Sequence, residues 1–411
     1  MSATYMTALH IHSVRHLHEI DIPLSTEGRK SLILTGKNGN GKTSVLRAVK
    51  DFLEFLVGTS FQSEEAIQSD IDYSESQINS NAEEDTCKMS NAQRRVYLER
   101  YKKKLEHWTT GAVAEFPSYA DLREKYAAGK YVLAYYGDDR AINVEISKNS
   151  EKIDLPAFYP MQAHPSRQLV KYLVNLKTTQ AFAQAKGDKE RADAIENWFA
   201  RFEGILKELY NDPSLKLDFD IDTFTFSILL KNRQPVDFNT LSMGYAAVFD
   251  IVGDLIMRME TQKDYSLEGL VLIDEIETHL HVDLQKQIVP ILMKLFPNIQ
   301  FVLTTHSAFI LNSTPNAVVY DLGNRVLVKE GLTDLPYEGI VEGYFSADLL
   351  SQELREKFEQ YKTLVEKAER TDADFAKAAE LESYLDEVPD YLALNFAAEY
   401  NRLKAEFADR G

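Results

Sequence analysis

Gly36-Lys37-Asn38-Gly39-Asn40-Gly41-Lys42-Thr43 sets glycines, a lysine and a threonine at the spacing G-x-x-x-x-G-K-[ST]. That pattern suits phosphate. Glycines let the backbone curl until its N–H groups face phosphate oxygens, and a helix starting near Thr43 adds its positive end. In such a loop Lys42 reaches the β- and γ-phosphates and the Thr43 hydroxyl ligates Mg²⁺. Gly36, Asn38, Gly39, Asn40, Gly41 and Ser44 line the turn. A flexible glycine turn would need none of this context. Here the apolar run Leu32-Ile33-Leu34 stands in front as a strand, and strand, glycine turn and helix together make a phosphate-binding loop. The chain is expected to bind a nucleoside triphosphate with Mg²⁺.

Three further groups of residues could serve the same chemistry. Leu270-Val271-Leu272-Ile273-Asp274-Glu275 is an apolar run closed by two acids. A buried strand of this kind delivers Asp274 beside the loop to hold Mg²⁺, and Glu275 can polarise the attacking water as a general base. His306 follows another apolar strand in Leu303-Thr304-Thr305-His306-Ser307. Leu241-Ser242-Met243-Gly244-Tyr245 precedes an apolar helix carrying Val248, Ile251, Val252 and Leu255. By itself a Ser-x-Gly at a helix start is only a cap.

These residues need a scaffold. Leu9 and Ile11, then Ile20, Ile22 and Leu24, alternate as two antiparallel strands ahead of the loop. A helix runs from Thr43 to about Val57. Residues 62–87 carry eight Asp or Glu and no Lys or Arg, and read as a solvated or disordered insertion. A helix follows with Tyr97, Tyr101, Leu105 and Trp108 on one face. Its basic run, Arg100 to Lys104, reads as a solvated face, with a nucleic-acid contact as the alternative. Strand character returns in Tyr131-Val132-Leu133-Ala134-Tyr135-Tyr136. Residues 166–210 are mainly helical, and 215–230 alternate as a hairpin. Strand 269–273, helix 283–296 and strand 300–304 form a β-α-β run. Strands are expected at 317–321 and 325–329, and the last 70 residues are helical, with Thr371 and Asp374 marking a helix start.

Composition narrows the class. A chain of 411 residues that is 44% hydrophobic is globular and long enough for more than one structural unit. A net charge of −18 argues against a basic sheath for wrapping DNA, though not against a local basic patch. The single cysteine, Cys87, excludes an intrachain disulfide framework or cysteine metal cluster and suits a reducing cytosol. No signal peptide is visible in residues 1–14, and no apolar run approaches the length of a membrane span. Localisation is expected to be cytoplasmic.

Taken together, the four groups resemble ABC and SMC-type ATPase heads in their order of phosphate loop, signature, acidic strand and histidine. Residues 241–245 resemble the LSGGQ signature, with Met243 in place of the first glycine and Tyr245 in place of the glutamine. Asp274-Glu275-Ile276-Glu277-Thr278-His279-Leu280-His281 resembles the DE-P-E-x-HLHP block of bacterial SMC-like AAA-domain ATPases. Ile276 and Val282 stand where that family has prolines, which leaves the local backbone open. The resemblance implies an α/β P-loop NTPase of ABC/SMC head type: a mixed central sheet, an antiparallel β subdomain, helical insertions and a helical C-terminal tail. It implies a head-to-tail homodimer sandwiching ATP, with Ser242 and Gly244 approaching the γ-phosphate of the opposite subunit and His306 acting as the switch histidine. Together with Lys42 and Glu275, His306 would form the catalytic set. The family's glutamine loop has no firm counterpart; Gln162 and Gln168 are candidates. Arg140, in Tyr135-Tyr136-Gly137-Asp138-Asp139-Arg140, reads equally as a nucleotide or partner contact and as a surface ion pair. His10, His12, His16 and His18 read as a solvated strand face rather than a metal site.

Along the chain this gives an ATPase head over 1–60, 128–150 and 213–335. An acidic and helical insertion fills 61–127, a helical lid 151–212 and a helical tail 336–411. The tail, from Tyr337-Glu338-Gly339-Ile340-Val341-Glu342-Gly343-Tyr344-Phe345 onward, resembles ATPase subunits of Septu and retron-associated anti-phage systems, which act with a separate nuclease. The expected function is an ATPase that regulates such an effector, nucleic acid being engaged indirectly. The alternative is a DNA-repair ATPase that clamps DNA itself. A self-contained Toprim nuclease lacks room in a helical tail, and an ABC transporter subunit fits neither the tail nor the insertion.

Overall fold

The structure, a computed structural model, describes residues 3–79, 90–138, 151–231, 234–238, 240–314, 316–333, 339, 352–367, 371–386 and 394–409. The chain divides into two compact units, Met1–Asp334 and Leu335–Gly411. In the first, β1 (Ala8–Val14), β2 (Leu17–Pro23) and β3 (Ser31–Thr35) precede α1 (Lys42–Val57). Next come α2 (Glu64–Asn79), α3 (Asn91–Thr109), β4 (Gly111–Glu115), α4 (Tyr119–Ala127) and β5 (Tyr131–Tyr136). After α5 (Leu169–Lys186) and α6 (Lys189–Tyr210) lie β6 (Lys216–Asp220), β7 (Thr225–Leu229), β8 (Val236–Asp237) and α7 (Met243–Glu260). The unit ends with β9 (Glu268–Ile273), α8 (Val282–Leu295), β10 (Ile299–Thr304), α9 (Ala308–Asn312), β11 (Ala317–Asp321) and β12 (Val326–Val328).

Six strands form the central sheet in the order β12-β11-β3-β10-β9-β5, parallel except for the edge strand β12. β3, β10 and β11 are buried along their whole length, as parallel strands covered on both faces must be. Smaller antiparallel sheets, β2-β1-β4 and β6-β7-β8, flank it. This is an α/β fold with a mixed central sheet, the phosphate-loop pattern lying between β3 and α1.

α1 buries Val45, Leu46, Val49, Phe52, Leu53 and Leu56, the spacing of one helix face, against Leu9, Ile11, Ile20 and Ile22 of the β1–β2 hairpin and Leu32 and Leu34 of β3. The helix that begins at Lys42 is therefore clamped between two sheets. Its start is held by that packing.

Within 62–87, the stretch expected to be solvated or disordered, residues 64–79 are an ordered helix with a mostly exposed surface, and residues 80–87 lie outside the described residues. Residues 64–79 form α2, because Ile67 and Ile71, one turn apart, are buried in the main core while the acids face out. Composition did not show the helix, because only its outer face is acidic. α3 packs beside α2, and Trp108 at its end stands edge-on to Phe52 and to Tyr119, both at 5.3 Å. The chain between α3 and α4 adds β4 to β1, Leu9 opposite Ala114. Gly-Ala-Val-Ala-Glu is too short and too small in side chain to have announced a strand.

The second unit holds α10 (Gln352–Glu366), α11 (Asp372–Leu385) and α12 (Leu394–Asp409). They share their own core of Phe358, Tyr361, Val365, Ala378, Leu381, Leu385, Tyr400 and Leu403. Thr371 and Asp374 form a reciprocal capping box at the start of α11, with the Asp374 carboxyl held down to about 2, first by Lys367 and then by the Thr371 N–H and hydroxyl. Residues 337–345, which carry the tail resemblance, lie outside the described residues apart from Gly339.

Candidate nucleotide site

β3, β9 and β10 run parallel, with Leu303 level with both Ile33 and Ile273, so all three end at one edge of the sheet. The segments that follow them, 36–41, 274–281 and 305–307, converge there. Gly41 caps α1 at φ 88°, a left-handed backbone that favours glycine. A Cβ at this position would also stand 3.1 Å from Leu17 Cδ1, so the turn between β1 and β2 abuts the loop. His16 sits in that turn, exposed.

Lys42 is only 6% exposed. Its Nζ donates to the Gly36 carbonyl at 2.8 Å and to that of Lys37 at 3.4 Å. Burial pulls its pKa below the ordinary lysine value, opposed by the charges of Glu275, Glu277, Asp274 and Asp321. Thr43 Oγ1 donates to Asp274 Oδ1 at 3.2 Å. Thr304 Oγ1 donates to the same oxygen at 2.5 Å and accepts from the Glu275 N–H at 2.7 Å. Asp274 N–H donates to Tyr136 O at 2.8 Å, which ties the acid to the end of β5.

Beyond Asp274 the chain turns sharply. Glu275 and His279 both take left-handed backbones, φ 44° and 69°, and Thr278 and Leu280 N–H groups close tight turns onto the carbonyls of Glu275 and Glu277. Ile276 is fully buried. The two prolines absent from this block are thus replaced by a buried aliphatic and by Val282 at the first position of α8. Glu275 is half-buried; a non-glycine residue held left-handed where two strand ends meet is backbone strain kept by its surroundings. His306 lies across from it, its N–H and Nδ1 at 2.7 and 3.2 Å from Glu277 Oε1.

The structure thus brings Gly36, Asn38, Gly39, Asn40, Gly41, Lys42, Thr43, Ser44, Asp274, Glu275 and His306 to one sheet edge. Ser242 and Gly244 belong to a different element. Gly244 packs on the 279–280 backbone, where a Cβ would stand 3.0 Å from the His279 carbonyl oxygen. Ser242 and Met243 are exposed, and the Ser242 side chain does not cap its own helix. Tyr245, standing for the signature's glutamine, stacks on Tyr210 at 4.2 Å.

Neither glutamine candidate hydrogen-bonds to the loop among the described residues. Gln162 donates to Glu54, twelve residues and about 18 Å along α1 from Lys42, and Gln168 is exposed at the end of a 3₁₀ turn. Arg140 lies outside the described residues. His10 bridges Asp21 and Glu115 at 2.7 and 3.3 Å, and no metal-binding group of histidines or acids occurs among the described residues. In the basic stretch of α3, Lys102 pairs with Glu75 of α2, which answers part of the charge, and Lys104 donates to the Gln62 side-chain carbonyl.

Three participants escaped the sequence reading. Thr304 links Asp274 to Glu275. Glu277 holds His306. Asp321, at the end of β11, accepts from the Gly323 and Asn324 N–H groups and adds its charge to the field on Lys42. The signal for Asp321 was present: Ala317-Val318-Val319-Tyr320 is another apolar run closed by an acid.

Comparison with known proteins agrees with the resemblance drawn from the sequence. The chain is 30% identical over 149 residues to "Retron Ec83 probable ATPase" of Escherichia coli, covering 34% of this chain and 27% of that protein. It is 43% identical over 68 residues to "Septu protein PtuA" of Bacillus mycoides, covering 16% and 10%. The chain therefore spans only about a quarter or less of these relatives' length. Among solved structures, the SMC head domain from Thermotoga maritima covers 77% of this chain and 94% of its own at 11% identity and TM-score 0.35, a distant likeness. No helix among the described residues is long and apolar enough to cross a membrane. The family described as "AAA domain, putative AbiEii toxin, Type IV TA system" matches residues 31–312, well over half of the chain, and the chain belongs to it.

Proposed function

We propose that this chain binds and hydrolyses ATP with Mg²⁺ in the cytoplasm, in a head-to-tail dimer whose closure regulates a separate effector, a nuclease, in defence against phage. The observation that carries the reading is the meeting of Lys42, Thr43, Asp274 and Glu275 at one sheet edge. The Thr43 hydroxyl and the Asp274 carboxylate, hard oxygen donors 3.2 Å apart, suit Mg²⁺ and would hold it. Bound there, the ion neutralises phosphate charge. Four carboxylates around one buried lysine make a strongly negative site, which favours a triphosphate that arrives with its cation.

The chain's own groups do the rest. The N–H groups of residues 37–43 bind phosphate oxygens at the start of α1, the clamped helix. Lys42 exchanges the Gly36 carbonyl for the β- and γ-phosphates. Glu275 orients and polarises the attacking water, and His306 contacts the γ-phosphate. Ser242 and the uncapped start of α7, exposed to solvent, complete the γ-phosphate site of a second copy. The relatives' names, retron ATPase and Septu protein, support the defence setting.

Calorimetry with ATP, with and without Mg²⁺, followed by phosphate release and sizing by light scattering, tests this. Mg²⁺-dependent binding and an ATP-induced doubling of mass are expected. A chain that bound no nucleotide at about 1 mM, the upper end of ordinary enzyme affinities, would sink the reading. Coexpression with the products of adjacent genes tests the effector.

A further inference from the structure

Glu277 is 8% exposed, yet it is a carboxylate in the field of Lys42 beside Asp274 and Glu275. One of its oxygens does all its visible bonding. Oε1 accepts from the His306 N–H at 2.7 Å and lies 3.2 Å from His306 Nδ1, while Oε2 is buried with no hydrogen-bond partner among the described residues. Burying a carboxylate with an idle oxygen is costly, and structures keep such a group where its remaining bond matters. The bond that remains holds the main chain of one residue, and the ring of that residue lies in ion-pair range of the same oxygen. A second tether acts on the next residue: Ser307 Oγ donates to Gln285 Oε1 at 2.6 Å, and Gln285 Nε2 donates to the Leu280 carbonyl at 2.8 Å. The 306–307 turn is thus fastened at two points to the segment that follows Asp274.

A carboxylate accepts and cannot donate, so its charge 3.2 Å from Nδ1 favours the proton on that nitrogen. The side chain as a whole is 45% exposed, and the ring's other nitrogen, Nε2, has no hydrogen-bond partner among the described residues. We propose that Glu277 is the positioning residue for His306: it selects the Nδ1–H form of the ring, fixes the ring plane, and leaves Nε2 as the nitrogen offered to the substrate. The carboxylate that holds the histidine is the acid two residues beyond Glu275, the general base of the reading above. The inference rests on the proposed ATPase reading for its consequence in turnover, but not for the state of the ring.

The test has two arms on the full chain. Long-range ¹H–¹⁵N correlation spectra of histidine-labelled protein without nucleotide, at a pH where the ring is neutral, report which nitrogen of His306 bears the proton; the His306→Asn variant assigns its signal. The expected result is Nδ1–H in the parent and in Glu277→Gln, whose amide oxygen still accepts, and a shift to Nε2–H in Glu277→Ala. In steady-state hydrolysis, Glu277→Ala should lose about 10–100-fold in kcat, the usual effect of removing an orienting partner, with KM for ATP unchanged. Glu277→Gln should recover most of that loss. An Nε2–H ring in the parent protein overturns the proposal without any variant having to fold. So does an unmoved tautomer in Glu277→Ala, or a loss in Glu277→Ala that falls on KM alone. If the parent neither binds nor hydrolyses ATP while its ring is Nδ1–H, the ATPase reading fails and the assignment of the dyad stands.

Discussion

The phosphate-loop edge of the sheet and the start of α7 differ in how far each is finished. At the sheet edge the polar side chains already hold one another: Lys42 on the Gly36 carbonyl, Thr43 and Thr304 on Asp274, Glu277 on His306. At the start of α7, Ser242 and Met243 face solvent and the helix's first N–H groups have no side-chain cap. The other end of α7 is anything but loose. Arg258 Nε donates to Asp254 at 2.5 Å, its guanidinium donates to the carbonyls of Leu133 and Ala163 at 3.1 and 2.6 Å, and Tyr136 donates to Asp254 at 2.7 Å. One region is a preorganised half-site. The other is an exposed, uncapped helix start on a rigid post, which under the function proposed above is completed by an anion from another copy.

The sharpest way to break this contrast is at Lys42. Lys42→Ala removes the one buried cation among four carboxylates, and both ATP binding and turnover should be abolished in calorimetric and phosphate-release assays. If binding survived, the edge would not be the phosphate site. Next in size is Glu275→Gln, which should keep ATP affinity and cut turnover about 10²–10⁴-fold, the range for loss of a general base. Light scattering should then find an ATP-trapped dimer. Turnover at the parental rate would move the general base elsewhere.

Ser242→Arg separates the two regions. A bulky cation at an exposed helix start should leave the affinity of the monomer for ATP intact, because no group of the sheet edge is touched. Turnover should fall about 100-fold, as when one donor to a developing charge is lost. Should binding and turnover fall together, Ser242 would serve its own chain's site and the contrast would collapse.

The post itself can be loosened. Arg258→Met strands Asp254 in the core and should cost roughly 3–5 kcal/mol in urea unfolding, the cost of breaking a buried pair. Adding Asp254→Asn should recover part of it, since the uncompensated charge is then gone. Arg258 is 5% exposed, so screening does little to soften the effect.

What the sequence made legible follows from how local each signal is. The loop at 36–43, the acids of 274 and 275 and the turn at His306 all end apolar strands, and strand ends are readable because periodicity stops there. The parallel register then brings them together without further information. Glu277 was written in the same block as Asp274, but its role depends on a turn built from two left-handed residues, Glu275 and His279, which no propensity announces. β4 was missed because its partner, β1, lies about a hundred residues away in the chain and supplies the reason for it to be a strand. α2 was not legible as a helix because composition averages over a segment whose two buried isoleucines decide its fate. The signature helix was legible as a start and an apolar face, whereas Asp250, Asp254, Arg258 and Glu260, buried charges inside that face, were not.

The smallest effect lies on the outer face of β1, and it tests whether charge pairs remote from both regions matter. Burial works against a charged His10, but hydrogen bonds and ion pairs with Asp21 and Glu115 outweigh it and hold its pKa above the ordinary 6.5. A raised folded pKa means that the folded state binds the proton more tightly. The stabilisation is therefore fully present below about 6.5 and is lost as pH rises through the folded value. The ring is about one-third exposed and the carboxylates more so, which screens the pairs to well under about 1 kcal/mol. Urea midpoints of the parent and His10→Gln should therefore differ slightly at pH 6 and coincide by pH 8.5, the difference shrinking in high salt. A gap that grew with pH would mean that neutral His10 carries the contact, and that these pairs are hydrogen bonds first and charges second.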